Sequence, residues 1–136
     1  MIFRQAVVDS ARSYLNVRWH HQGRNRAGVD CAGLIICVAQ DLELAYTDIQ
    51  GYPRTPDGKT LLQLLDSVAI ATPVHERQIG DILVFQFQDD PQHMGIMTDR
   101  GVIHAYLPMY KVVEHRMDEF YWARKIVAVY SYAGVA

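Results

Sequence analysis

The feature that most constrains this chain is a change of hydrophobic period near residue 80. From there, "GDILVFQF" (80–87), "HMGIM" (93–97), "GVIHAYL" (101–107), "KVVEHRM" (111–117) and "RKIVAVYSY" (124–132) alternate at period two, with turn signals between them. Such runs read as five consecutive strands. Before residue 80 the spacing is helical. Ile2, Ala6, Val7, Ala11 and Leu15 share one face, so residues 2–15 read as an amphipathic helix. Asp30 is placed to cap a second helix over about 31–45. That helix is apolar on almost every side through Ala39, so it is expected to be central and buried. "KTLLQLLDS" gives a short third helix, about 59–67. The polar stretch "NVRWHHQGRNRAG" and the proline-containing connector at 46–60 read as surface loops. Helices first and consecutive short strands after imply an α+β domain, N-terminal helices packed on an antiparallel sheet of about five or six strands.

The totals narrow the function. At 136 residues the chain is expected to be one domain, 1–136, and with 50% hydrophobic residues it can build a core without staples. A net charge of −2, with no basic stripe, argues against a nucleic-acid partner. No segment has the length of a membrane span, so no membrane insertion is expected. The apolar run at the N-terminus is broken by Arg4, Gln5 and Asp9, which does not read as a secretory signal; synthesis in the cytoplasm is expected. Two cysteines make no disulfide framework and no thiolate zinc site. On one helix their spacing turns them roughly 240° apart. Cys37 lies inside the apolar run and reads as core.

Cys31 is different, because it stands at the front edge of that run, in the first turn of the second helix. The free N–H groups and the helix dipole there favour a thiolate and suit an oxyanion. Taken alone, such a cysteine is more often a small core residue that starts a helix. A thiol nucleophile needs a base, and the base needs an orienting partner. Of the six histidines (20, 21, 75, 93, 104 and 115), His93 and His104 stand out. "HMGIMTDRGVIHAY" reads as a hairpin turning at Thr98–Gly101. With an even loop, Met97 faces Val102 and His93 faces Tyr106, so His104 lies on the same sheet face as His93, as its diagonal neighbour. An odd loop would put the two on opposite faces. No cofactor or metal is required: the adjacent His20 and His21 do not converge on one ion.

Three pieces in order, "VDCAGLI", "GDILVF…HMGIM" and "GVIHAY", resemble the NlpC family of cell-wall cysteine peptidases. The resemblance spans most of the chain and implies a papain-like fold. It also implies Cys31 as nucleophile, His93 as general base and His104 as the residue that orients it. The loop "WHHQGRNRAGVDC", through His21, Gln22 and Gly23, is similar to the bacteriophage and gene-transfer-agent branch, whose members sit at or near the tail tip. That likeness implies a virion protein acting in the periplasm and cell wall, with a peptidoglycan peptide as substrate and tail-tip proteins as partners. The bond implied is the γ-D-glutamyl–diamino-acid amide. Trp19, Arg18 and Ala32 depart from the family's tyrosine, proline and serine.

Four residues stand as substrate-binding candidates: Asp30, Trp19, His21 and Gln22. A carboxylate at Asp30 can hold a substrate amine or simply cap the helix. His21 and Gln22 can line the pocket, supply a second oxyanion donor, or belong to an ordinary surface loop. Trp19, Tyr106, Tyr110 and Trp122 can form a groove or pack. The rival readings are a tail structural protein that kept the fold and lost catalysis, a related Cys-His amidase or acyltransferase, and a histidine metal-binding module.

Overall fold

The computed structural model describes residues 1–48, 51–52, 58–87, 91–118 and 121–136. Its helices are α1 (Arg4–Arg12), α2 (Cys31–Asp41) and α3 (Gly58–Val68). Its strands are β1 (Arg24–Asn25), β2 (Gly28–Val29), β3 (Ala69–Thr72), β4 (Ile82–Gln86), β5 (Pro91–Met97), β6 (Gly101–Tyr106), β7 (Lys111–Arg116) and β8 (Ile126–Tyr132). β1 and β2 pair as a small ribbon, and the other six strands form one sheet in the order β3-β8-β4-β5-β6-β7. Every pairing in it is antiparallel. The architecture is the α+β one expected, with helices packed on a single antiparallel sheet of six strands. All five period-two runs are strands. Residues 49–50 and 53–57 of the connector at 46–60 lie outside the described residues.

The sheet is apolar on both faces, which is why "ILVF" in β4 runs without a polar residue. Val84, Ile82, Met94, Ile96, Ile103 and Ala105 join the core beneath the helices, with Leu34, Ile35 and Val38 of α2. Leu83, Phe85, Val102 and Val129 face the other way, against Trp122 and Ile126. α2 lies against β5 and β6 and is buried from Cys31 through Ala39, as its all-round apolar sequence requires.

Two helices are shorter than their periodicity suggests. α1 ends at Arg12, and the chain turns through Asn16, which has a left-handed φ of 70°. Tyr14 instead drops into the core and donates its hydroxyl to Asp41 at 2.8 Å. α2 stops at Asp41 in a Schellman-type cap: Glu43 N–H donates to Gln40 O (3.2 Å) and Leu44 N–H to Ala39 O (2.8 Å). Glu43 holds the left-handed position at φ 56°, where glycine is usual, so no glycine marks this end.

β3 has no period-two signature. "AIAT" is a short edge strand whose register, Ala69↔Tyr132 to Thr72↔Val129, is supplied by β8. The edge of β7 is covered by the loop after α1. Asn16 N–H donates to Val112 O (3.0 Å), Val112 N–H to Val17 O (2.8 Å) and Trp19 N–H to Tyr110 O (2.8 Å). On its other side the same segment meets β2, through Val29 N–H to Arg18 O and His20 N–H to Val29 O, both 3.1 Å. The loop is thus fastened on two sides. Asp81, fully buried ahead of β4, accepts from Arg4 (2.5 Å), Ser131 (2.7 Å) and the Gln78 N–H (2.8 Å), joining the start of α1 to β4 and β8.

Candidate active site

Asp30 is extended (φ −100°, ψ −171°) and caps α2: its Oδ1 accepts from Gly33 N–H at 2.8 Å. The same oxygen accepts from Arg24 Nη1 at 3.1 Å. Its Oδ2 accepts from the Gln22 N–H at 2.8 Å and the Tyr52 hydroxyl at 2.5 Å. Four donors fill the acceptor directions of one carboxylate, so the capping alternative describes this state, and no lone pair is left for a substrate ammonium. Arg24 continues the network to Tyr52 (2.9 Å) and Asp48 (2.9 Å). The loop and the start of α2 form one unit. A Cβ on Gly33 would lie 2.0 Å from Gly23 O, so only glycine fits two residues after the cysteine.

Cys31 is the first residue of α2 and is 6% exposed. In this first turn the Gly33 N–H is taken by the Asp30 carboxylate and the Leu34 N–H by Asp30 O (3.0 Å). The N–H groups of Cys31 and Ala32 therefore remain outside the helix ladder. The Ala32 N–H and the Met94 N–H reach the sulfur and favour its anion. They do not win. Burial first, and the Asp30 charge second, push the Cys31 thiol up to about 12. The thiolate expected from the helix terminus alone is not the resting form.

His93 lies on β5 and His104 on β6. The turn between them is a two-residue loop, closed by Thr98 N–H to Gly101 O at 2.8 Å. Thr98 Oγ1 accepts from the Arg100 and Gly101 N–H groups and donates to Glu114 (2.7 Å), which is gripped by Arg12. The loop is even and pairs Met97 with Val102 and Ile96 with Ile103, the register expected. His93 Nε2 then meets His104 Nδ1 at 2.6 Å. Gly95 lets the strands close: a Cβ there would lie 2.4 Å from Val102 Cγ2 and 3.1 Å from His104 Cβ. With Nε2 engaged, Nδ1 is the nitrogen His93 has for a thiol proton. No hydrogen bond joins the Cys31 sulfur to His93 in this state; such pairs often tighten only around substrate.

A third imidazole continues the line, with His104 Nε2 2.8 Å from His115 Nδ1 on β7. Tyr106 stacks on His104 (ring centroids 4.8 Å, 18°), and Trp122 stacks on His115 (5.3 Å, 21°) while meeting His104 edge-on (4.9 Å, 87°). Tyr106 and Trp122 thus pack the histidines, whereas Tyr110 is 74% exposed. Burial pulls His93 down to about 4, with the charge of His115 adding to it. Burial pulls His104 down to about 2, with His93 and His115 adding to it, and burial lowers His115 as well. Burial thus disfavours the charged form of the Cys31 thiol and, separately, of each of the three imidazoles. Among the described residues no group of three or more histidine, cysteine, aspartate or glutamate side chains could hold a metal ion. The line of histidines spends its inner nitrogens on itself.

The other candidates sit in the loop. Trp19 is half-buried and stacks on His21 at 6.4 Å. The Gln22 amide donates to Tyr52 O (3.2 Å), meets His21 Nε2 (3.2 Å) and accepts from the Gly51 N–H (3.3 Å). Gln22 has φ 58°, a left-handed conformation that accompanies its N–H bond to Asp30. His21 Nδ1 is buried with no hydrogen-bond partner among the described residues. Sequence reasoning missed Tyr52, Arg24, Asp81 and His115. Only His115 had a readable signal. The Tyr106↔Lys111 pairing makes the second hairpin even too, and places His115 opposite Val102 on the His104 face.

The model of the NlpC/P60 family matches residues 16–131, which takes in α2 and the six strands of the main sheet up to, but not including, the last residue of β8. No curated protein sequence matches the chain. Among solved structures, the NlpC/p60 domain of peptidoglycan hydrolase SagA superposes with a TM-score of 0.68 at 22% identity, covering 96% of this chain and 99% of that one. A Bacillus cereus NlpC/P60 family protein gives 0.72 at 15% identity, covering 95% of this chain but only 40% of that longer protein. The P60 domain of an M. avium subspecies paratuberculosis antigen gives 0.66 at 14% identity, covering 95% and 93%. Identities this low speak to the fold; the family-model match reaches further, and by it the chain belongs to the NlpC/P60 family, a family generally of cysteine peptidases and peptidoglycan hydrolases.

Proposed function

We propose that this chain is a cysteine peptidase that hydrolyses an amide bond in peptidoglycan stem peptides. The observation that carries the reading is the 2.6 Å contact between His93 and His104 on one sheet face, with Cys31 at the start of the buried helix beside Met94. The family match and the structural likeness to a peptidoglycan hydrolase supply the substrate class. His93 Nδ1 takes the Cys31 proton as the sulfur attacks the carbonyl carbon. The free Cys31 N–H donates to the oxyanion. His93 returns the proton to the leaving amine, and water then releases the acyl-enzyme. His104 holds the His93 ring and its tautomer.

The finer reading is cleavage at the γ-D-glutamyl–diamino-acid bond by a protein carried on a phage tail tip, acting in the periplasm and cell wall. It rests on the likeness of the His21-Gln22-Gly23 loop to that branch. Trp19 and His21 are the loop residues assigned to the substrate. Asp30 and Gln22 are occupied in holding the loop and act on substrate only through it. A second reading, a tail protein on the same fold without catalysis, draws on the absent bond between the Cys31 sulfur and His93. Digestion of purified peptidoglycan by the wild type and by Cys31→Ala, with products read by mass spectrometry, decides. New peptide ends from the wild type alone support the peptidase and identify the bond. No cleavage by either, with Cys31 inert to alkylation, favours the scaffold.

A further inference from the structure

The third histidine is used by none of the steps above. We propose that His115 completes a three-imidazole proton wire and sets the direction in which its protons point, acting as a positioning residue for His93. This inference rests on the cysteine-peptidase reading.

The geometry allows two arrangements of protons in the neutral wire. In one, His93 Nε2–H donates to His104 Nδ1 across 2.6 Å, and His104 Nε2–H donates to His115 Nδ1 across 2.8 Å. His93 Nδ1 is then a bare lone pair and can act as a base. In the other, every proton points inward: His115 Nδ1–H to His104 Nε2, His104 Nδ1–H to His93 Nε2. His93 Nδ1 then carries a proton and can take no other without placing charge on a buried ring. Only the first arrangement serves Cys31, and whether His115 Nδ1 accepts or donates decides between them.

The same wire moves charge. When His93 Nδ1 takes the thiol proton, its Nε2 proton passes to His104 Nδ1. The His104 Nε2 proton passes to His115 Nδ1. One proton has left sulfur, one positive charge has reached His115, and nothing is oxidised or reduced. The steps reverse as His93 protonates the leaving amine. His115 is the end of the wire best placed to carry the charge. It is half-buried, while His104 is fully buried, and it lines an open depression with Leu15, Asn16, Met109 and Lys111. The stacked Trp122 ring faces a cation there.

The groups facing His115 fit this role. From β6 come His104 and Tyr106, and from the turn before β8 comes Trp122, with Tyr121 behind it at 5.0 Å. On its own strand Lys111 shares its side of the sheet, while Glu114 points away into the grip of Arg12 and Thr98. No carboxylate is hydrogen-bonded to the ring among the described residues, and its Nδ1 exchanges its proton with His104 Nε2.

The test is nitrogen-15 NMR of the histidine rings in the full chain between pH 4 and 8, in the wild type and in His115→Asn. The asparagine side-chain oxygen can still accept from His104 Nε2–H but cannot take the charge. In the wild type, acidification is expected to convert His93 Nδ1 from bare to protonated at the same midpoint as the His115 ring. In His115→Asn that conversion is expected to move down by about a unit or more, because the charge must then sit on a buried ring. Independent midpoints for His93 and His115 in the wild type, or an unmoved His93 midpoint in the variant, would overturn the wire. Since the wild-type midpoints suffice, the test survives a variant that fails to fold. It needs no turnover either: a coupled titration in a protein that leaves peptidoglycan intact keeps the wire and sinks the peptidase reading instead.

Discussion

Asp30→Asn is expected to weaken the fold and quicken the thiol at once. Asparagine still caps a helix, so the bond from Gly33 N–H survives. The loss falls on the other oxygen, which accepts from Gln22 N–H at 2.8 Å and Tyr52 OH at 2.5 Å. An amide NH2 there faces two donors. One buried donor left unpaired costs about 1–3 kcal/mol. Arg24 also loses its charged partner inside the loop, although Asp48 still accepts from its Nε at 2.9 Å. Removing one member of a buried pair costs about 3–5 kcal/mol when nothing compensates. With Asp48 retained, a total near 3 kcal/mol is expected, read as a shift in the urea midpoint. The Asp30 charge is also the second cause of the high Cys31 pKa, so its removal lowers that pKa. At pH 8 a thiol near 12 is ionised in only about one molecule in ten thousand, so alkylation rises in proportion to any fall. Half a unit gives about a threefold faster reaction of Cys31 with iodoacetamide, with the modified residue located by mass spectrometry. A loss below about 1 kcal/mol with an unchanged alkylation rate would refute both the clamp and the charge acting on the sulfur.

Three further outcomes are expected. Glu43→Gly relieves the left-handed residue at the end of α2 and raises stability by about 1 kcal/mol in chemical denaturation; a loss would show that the Glu43 side chain matters more than its backbone. Gly95→Ala forces a Cβ to within 2.4 Å of Val102 Cγ2, costs about 1–3 kcal/mol and splays the His93–His104 pair, so peptidoglycan cleavage falls more than stability alone explains; wild-type activity in a folded variant would count against that pair. Stability itself falls on mild acidification. His93 and His104 have folded values of about 4 and about 2, below the unfolded value near 6.5, so the unfolded chain binds more protons once the pH drops below about 6.5. Their contribution is complete above that pH and is lost on the way down, to about 4 for His93 and about 2 for His104, at up to about 1.4 kcal/mol per pH unit for each histidine, and a flat stability profile from pH 7 to 4.5 contradicts the buried neutral pair.

What the sequence made legible followed from periodicity and parity, both local properties. The five runs at 80–132 are short, rich in β-branched and aromatic residues and bounded by turn signals, so they read as strands even where β4 is apolar on both faces. The even turn at Thr98–Gly101 made the His93–His104 face readable. What was missed depended on partners far along the chain. β3 exists because β8 offers it an edge, not because "AIAT" favours a strand. Tyr52 joins the Asp30 network from 22 residues away, from within a connector with no motif. The end of α2 was hidden because glutamate stands where the cap geometry usually selects glycine.

The error about the Cys31 thiol is the most instructive, because the local reasoning behind it was sound. A helix start does favour an anion, and Ala32 and Met94 do turn their N–H groups to the sulfur. The favourable dipole at such an end is worth about 0.3–1 kcal/mol when exposed and about 2 kcal/mol in partly buried settings. Complete burial of a thiolate beside an aspartate opposes it with several pKa units, each worth 1.36 kcal/mol. The sequence displays the dipole, since it needs only a cap and a helix, but not the burial, which belongs to β5 and β6 closing over α2. A site built this way keeps its thiol protonated and unreactive in water. On the proposed peptidase reading, the nucleophile forms only when a substrate carbonyl is present to receive the charge and the imidazoles can take the proton. On that reading the sulfur, His93 and His104 handle the same proton, so a mutation at any of them is expected to act on the proton before it acts on binding.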